Sequence, residues 1–419
     1  MAKRRRVAKR TKCRPARTPL ASLRTAKPRT AKPRRKPATR RPAETASVLT
    51  LDELARRDPI PPTEAMPAAL RAMLEPAPAG ACYVESERPP ALRARSTAIG
   101  RGARGRIWQA RLEGGSGRLM AGRAGLAQGR FSPTTLARGG RRAASLASHR
   151  PAWVTTEFLP RLTPRRRLTT TAVGARAART DAPVMHTMDA VIEGFAIGWP
   201  WHCVGKVQGG FDTDFDRPRT TGTGVLVGHN VLLTAAHLAI WDRGPGQWWM
   251  RFFPGWRDGP DPKLGSAFVE EFRGPGPQSN PNSNDFVVCK LYDPLGDALG
   301  FFGTIWSSDD DFYYDRHWTS IGYPDHTYGG QRPTFDLDVE VQDIDNNGDG
   351  REIEIALNDY LLNGGWSGGP LFGWFPELDP RVIGVCSGWD ADGWDPYRAV
   401  FAGGGPLINY VHAARQDWS

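Results

Sequence analysis

Gly222-Thr223-Gly224-Val225-Leu226-Val227-Gly228-His229-Asn230-Val231-Leu232-Leu233-Thr234-Ala235-Ala236-His237 is the stretch on which the reading of this chain turns. Two apolar runs, 224–227 and 231–233, flank the turn Gly228-His229-Asn230 and read as a β-hairpin. The second run passes into small residues that let the chain turn and pack closely, and then into a histidine. Similar runs recur downstream. Phe286–Leu291 reads as a buried strand, and Val382-Ile383-Gly384-Val385 as another. Asp338–Val341 and Glu352–Ile355 alternate with period two about a turn rich in Gly and Asn. Pro406–Arg415 is the one convincing helix. Many short strands separated by turn signals predict an antiparallel barrel or sandwich from about Met185 to Ser419, the size of one globular domain.

Within this pattern three local sequences carry chemistry. Leu233–His237 sets a histidine just after a strand. Ser283-Asn284-Asp285-Phe286-Val287 sets an aspartate at the mouth of an apolar strand. Gly364-Gly365-Trp366-Ser367-Gly368-Gly369-Pro370 sets a serine in a glycine-rich turn. A serine hydroxyl is a weak nucleophile at neutral pH and needs a base. The base needs a carboxylate to fix its tautomer and stabilise the imidazolium. A developing oxyanion needs backbone N–H donors, which glycines allow to approach unobstructed. Alone, each of these residues has an ordinary explanation as a core histidine, a strand-edge aspartate or a loop serine. Their order and context together are what one reaction requires.

With these residues in view, the half of the chain from residue 185 resembles the trypsin/chymotrypsin-like serine proteases, and within them the bacterial V8-like, glutamyl endopeptidase-type branch. Lys290-Leu291-Tyr292-Asp293-Pro294-Leu295-Gly296, Ile321-Gly322-Tyr323-Pro324 and Val382–Gly388 extend the likeness. The resemblance implies an all-β fold, a double six-stranded antiparallel β-barrel with a C-terminal helix and a cleft between barrels. It implies Ser367 as nucleophile, His237 as general base, Asp285 as orienting carboxylate, and an oxyanion hole from the N–H groups of Gly365 and Ser367. Ser387 would line the substrate cleft and help hold Asp285. Ser387, Gly388 and Trp389 would wall the specificity pocket, with Leu361 and Leu362 at its floor. No cofactor is implied.

Departures from the family pattern are informative. Trp366 stands where trypsin-like zymogens carry an aspartate for the freed N-terminus, so activation through that ion pair is unavailable. Leu238 follows the histidine where a disulfide cysteine is common. Cys386 stands where glutamate-specific relatives place a pocket histidine. Cys386, with Leu361 and Leu362, argues against glutamate at the cut site and favours an apolar or small side chain there.

Other residues have simpler readings. Asp343-Ile344-Asp345-Asn346-Asn347-Gly348-Asp349 through Glu354 satisfies a calcium-loop pattern, with Asp343, Asp345, Asn347, Asp349 and Glu354 as the oxygen donors. Alternating strands flank it, however, and a hairpin loop explains the same residues. Cys203, Cys289 and Cys386 read as small buried hydrophobes. Cys13 and Cys82 complete an odd, widely spaced set that makes neither a disulfide framework nor a metal site. Trp248, Trp249 and Trp256 read as barrel packing.

Upstream, residues 1–184 are of another kind. Residues 1–180 carry 41 Lys and Arg against 10 Asp and Glu, a net of +31, whereas the remaining residues carry a net of −19. Residues 1–48 are almost wholly Lys, Arg, Ala, Pro and Thr, and should stay extended. Leu51–Arg57 and Glu64–Leu74 read as short amphipathic helices. From Arg88 to Arg179 the chain is too poor in apolar residues to offset chain ordering and reads as disordered. Such a tail suits nucleic acid binding through counterion release, a propeptide lying over its own acidic domain, or a passive linker. An arm tethered to a domain of opposite charge would lie on it and lower activity at low salt.

No apolar run is long enough for a membrane-spanning helix. The basic start is followed by no apolar segment, so a cytoplasmic location is the expectation, with secretion by another route open. Three functions therefore compete. The leading one is a serine endopeptidase acting on polypeptides. The others are a catalytically weak protease-fold protein that binds peptides, and a nucleic-acid-associated protein acting through its tail. Nothing in the sequence sets the oligomeric state.

Overall fold

The pairing of Val231–Thr234 (β3) with both Thr220–Leu226 (β2) and Val287–Leu291 (β6) is the framework from which everything else hangs. β3 is buried throughout, β2 is buried from Gly222 onward, and β6 is buried except at Lys290. Around them Val204–Phe211 (β1), Trp248–Pro254 (β4) and Ala267–Arg273 (β5) complete the order β4-β1-β2-β3-β6-β5, and β4 pairs back onto β5. The sheet therefore closes into a six-stranded antiparallel barrel. Val204, Val225, Leu232, Met250, Phe252, Val269, Phe272 and Val288 are all buried in the core.

A second sheet follows from Trp318–Gly322 (β7), Thr334–Val339 (β8), Val341–Asn347 (β9), Gly350–Ala356 (β10), Pro370–Phe375 (β11), Asp379–Asp390 (β12) and Arg398–Gly404 (β13). Its path runs β8-β7-β11-β12-β13-β10-β9. Since β8 ends at Val339 and β9 begins at Val341, the two ends are successive segments of one strand, broken only at Glu340. Asp338 beside the break has φ +65°, the local kink that lets the strand turn from one neighbour to the other. This sheet too closes on itself with six strands, as the resemblance implied. Helix α1, Gly405–Asp417, follows β13 directly and buries Leu407, Ile408, Tyr410 and Val411.

The computed structural model describes residues 48–75, 81–86, 96–102, 105–111, 127–128, 145–160, 198–211, 217–241, 248–314, 316–325, 328–356, 364–390 and 398–418. The arm before Val48 lies outside the described residues, and so do Leu361, Leu362 and Cys13. Among the described residues no helix is long and apolar enough to cross a membrane.

Two upstream segments are ordered, the first where short helices were expected and the second within the stretch expected to be disordered. The short helices form over Leu51–Ala55 and Ala68–Leu74; the first carries a capping box between Thr50 and Glu53, and the second starts only after Pro67. Within the stretch expected to be disordered, Ser145–Leu146 pairs with Gly303–Ile305, and Thr155–Thr156 with Gly198–Trp199. Leu49 N donates to Trp374 O at 2.7 Å, and Trp153 Nε1 to Ala298 O at 2.8 Å. Leu49, Leu54, Leu74, Val154 and Phe158 join the main core. The two segments also bridge each other at Ile60 and Thr156. Average composition misled here because the apolar residues of 146–159 are concentrated in one short run. Between these segments Ala81–Ser86, Ser96–Gly102 and Gly105–Arg111 form a three-stranded sheet, the last two strands within the stretch from Arg88 expected to be disordered.

Candidate active site

Register alone explains how a histidine and an aspartate 48 residues apart come to meet. Thr234, the last residue of β3, lies opposite Val287, the first of β6. His237 is three residues beyond one, and Asp285 two residues before the other, so both leave the barrel at the same edge. A single 3-10 turn over Ala236–Leu238 then aims the imidazole, with Ala235 and Ala236 fully buried beneath it. On the other side an Asx turn, Asn284 N to Asn282 Oδ1 at 2.7 Å, shapes the approach to Asp285.

The Asp285 carboxylate is 1% exposed and accepts three hydrogen bonds. His237 Nδ1 donates to Oδ2 at 2.7 Å, the His237 backbone N–H to Oδ1 at 2.9 Å, and Ser387 Oγ to Oδ2 at 2.6 Å. A buried carboxylate is tolerable only when hydrogen-bonded in this way. Donation from Nδ1 fixes the tautomer, which leaves the Nε2 lone pair free to accept a proton. The ring itself is about one-third exposed, open on that side. Ser387 reaches Asp285 because β12 carries a register shift between Cys386 and Gly388 where it pairs with β13.

The turn bearing Ser367 is held from both barrels. Thr223 N, on β2, donates to Ser367 O at 2.8 Å, and Thr223 Oγ1 donates to Gly365 O at 2.7 Å. Gly369 N donates to Trp366 O and Gly368 N to Cys386 O, both at 2.7 Å. Gly368 has φ +80°, and a Cβ there would lie 2.2 Å from Thr223 O and 2.8 Å from Ala235 N. A Cβ on Gly222 would strike both Ser367 O and the Leu238 side chain. The serine turn and the histidine turn are thus pressed against the same strand, and glycine is what permits it. No hydrogen bond joins Ser367 Oγ to the His237 ring among the described residues; such contacts are often loose in ligand-free sites and tighten around substrate.

Trp366 shows what replaces the missing aspartate. Its indole is buried, and Nε1 donates to Ser320 Oγ at 2.9 Å, while the ring lies against Gly322. An aromatic anchor and one side-chain hydrogen bond take that place, with no ion pair there among the described residues.

Of the other residues singled out from sequence, Trp389 is 41% exposed beside Ser387, and Gly388 packs on Pro281. Leu361 and Leu362, the expected pocket floor, are not described. Cys203, Cys289 and Cys386 are free and buried. Burial, with the neighbouring Asp285 charge, pushes the Cys386 thiol far above its ordinary value, so it stays neutral. Trp248 and Trp249 are buried on β4, and Trp256 packs on Phe253.

The residues of the calcium-loop pattern lie in a strand hairpin. β9 and β10 form a hairpin with Asp343 opposite Glu354 and Asp345 opposite Glu352. The Arg398 guanidinium binds Asp343 at 3.0 Å and Glu354 at 2.7 Å, so the first and last donors of the pattern face a cation of the protein itself. Asp349 and the tip glycine Gly348, at φ +65°, simply turn the hairpin. Among the described residues no three His, Cys, Asp or Glu side chains are grouped to hold a metal ion.

Sequence reasoning did not single out Thr223 or Asp325 as part of the site. Asp325 N donates to Gly364 O at 2.8 Å. Thr223 sat within the quoted Gly-Thr-Gly run, but its place opposite Lys206 and its contacts with the serine turn emerge only from the paired strands.

No protein-family model matches the chain, and no curated protein sequence does. Among solved structures, a Glu endopeptidase in complex with MPD is similar over 52% of this chain and 93% of its own, at 16% identity and a TM-score of 0.41. The protease Anisep from Arthrobacter nicotinovorans is similar over 52% and 96%, at 17% identity and a TM-score of 0.38.

Proposed function

We propose that this chain is a serine endopeptidase of the V8-like type, forming an acyl-enzyme on Ser367. The observation that carries this reading is the buried Asp285 carboxylate, gripped by the Nδ1–H and backbone N–H of His237 and by Ser387. A carboxylate so placed orients an imidazole whose Nε2 points outward, the arrangement a general base needs. Ser367 Oγ attacks the scissile carbonyl carbon while Nε2 takes its proton. The tetrahedral oxygen is received by the N–H groups of Gly365 and Ser367, neither of which has another backbone acceptor among the described residues. Nε2 then protonates the leaving amine, and water releases the acyl group by the same steps in reverse.

Neutral Cys386 in the pocket strand and the exposed Trp389 support an apolar or small side chain at the cut site. A fluorophosphonate probe on the full chain tests the assignment. The expected result is labelling mapped to Ser367 and absent in Ser367→Ala. A folded protein that takes up no probe would instead be a peptide-binding member of the fold.

A further inference from the structure

We propose that Thr223 is a positioning residue that holds the oxyanion hole open, an assignment that rests on the reading of Ser367 as nucleophile. In a trans peptide the C=O and N–H point in opposite directions. Anchoring a carbonyl therefore aims the next residue's N–H. Three successive peptides of the serine turn are anchored in this way. Gly364 O is held by Asp325 N at 2.8 Å, Gly365 O by Thr223 Oγ1 at 2.7 Å, and Trp366 O by Gly369 N at 2.7 Å. The first and third turn the N–H groups of Gly365 and Ser367 away from their anchors, which is where the hole requires them. The middle peptide joins these two donors, and it alone is held by a side chain.

That middle peptide starts at Gly365, with φ +100°, a conformation in which glycine is freest to rotate. Without its anchor, rotation there would misalign both donors at once. The Thr223 hydroxyl is well built to prevent it. Thr223 is fully buried, and its Oγ1 also accepts from Tyr323 N at 3.1 Å, so its one proton is committed to Gly365 O. Tyr323 leads directly to Asp325, which anchors the first peptide. Thr223 is itself fixed, because its carbonyl accepts Thr234 Oγ1 at 2.6 Å and its N–H holds Ser367 O. One residue on the first barrel thus holds both ends of the donor turn on the second, Gly365 O through its hydroxyl and Ser367 O through its backbone N–H.

The test uses full-length protein and the rate of fluorophosphonate labelling at Ser367, together with kcat and KM on a labelled denatured protein. Thr223→Val keeps the shape and removes the donor. It is expected to lower the labelling rate and kcat by about 10- to 100-fold, less than the roughly 10²–10³-fold cost of removing an oxyanion donor outright. KM should stay within about threefold, since the effect lies in the transition state. Thr223→Ser restores the hydroxyl and should recover the rate. Should Thr223→Val not fold, Thr223→Ser and Thr223→Cys, alike in shape, carry the comparison, with the cysteine variant slow. Labelling of Thr223→Val, or of Thr223→Cys beside Thr223→Ser, at an undiminished rate would overturn the clamp while leaving Ser367 as nucleophile. A wild-type protein that takes up no probe would overturn both.

Discussion

At the scale of single residues, the site depends on Asp285 more than its distance from the reacting atoms suggests. Replacing it with Asn retains size but offers the imidazole an amide, which permits the wrong tautomer. Asp285→Asn should therefore lower kcat by about 10⁴-fold with little change in fold; burst titration beside a thermal melt measures both. Asp293 makes a separate, pH-dependent prediction. Burial raises its carboxyl from 3.8 to about 7, opposed by the Arg251 charge. A raised value means that the folded state holds the proton more tightly than the unfolded one. The stabilisation is thus complete below pH 3.8 and is lost as the pH rises toward 7. Melting temperature should fall between pH 5 and pH 8, and Asp293→Asn should flatten that slope, gaining a few degrees at pH 8. An unchanged slope in the variant would assign the pH dependence elsewhere.

Individual elements show where sequence was legible and where it was not. The hairpin β2–β3 and strand β6 could be read because each carries a short apolar run bounded by turn residues or a change to polar ones. The residues they deliver, His237 and Asp285, were legible with them. Of the ordered upstream segments, the short helices of 48–75 were legible and 145–160 was not, since its order comes from pairing with Gly198–Trp199 and Gly303–Ile305, which no local pattern shows. Their contribution is substantial. Phe158 packs on Trp374 with ring centroids 5.3 Å apart, and Phe158→Ala should cost about 3–5 kcal/mol, read by denaturant unfolding. A chain beginning at residue 185 lacks both segments and would leave Trp374 and its neighbours exposed. It should melt well below a chain beginning at Val48, and little soluble product is expected from it.

For the molecule as a whole, the separation of charge remains a property of the sequence. The arm before Val48 supplies many cations and few large apolar residues, which suits polyanion binding by counterion release. Full-length protein should be retained on duplex DNA at low salt and released as salt rises, whereas a chain from Val48 should pass through. Comparing the two for activity at low salt also tests the arm as a cover for the acidic domain. A full chain as active as the shorter one would exclude that role.

Sequence by itself determined the strand pattern, the opposed charges of the two halves, and the order of His237, Asp285 and Ser367, because these follow from local periodicity and residue chemistry. Tertiary structure alone decided that Thr223 grips the serine turn, that Trp366 anchors it through Ser320, and that Arg398 occupies the carboxylates of the 343–354 hairpin. Each of those contacts joins residues far apart in the chain. Their pairing is set by barrel closure and strand register, which no local pattern encodes.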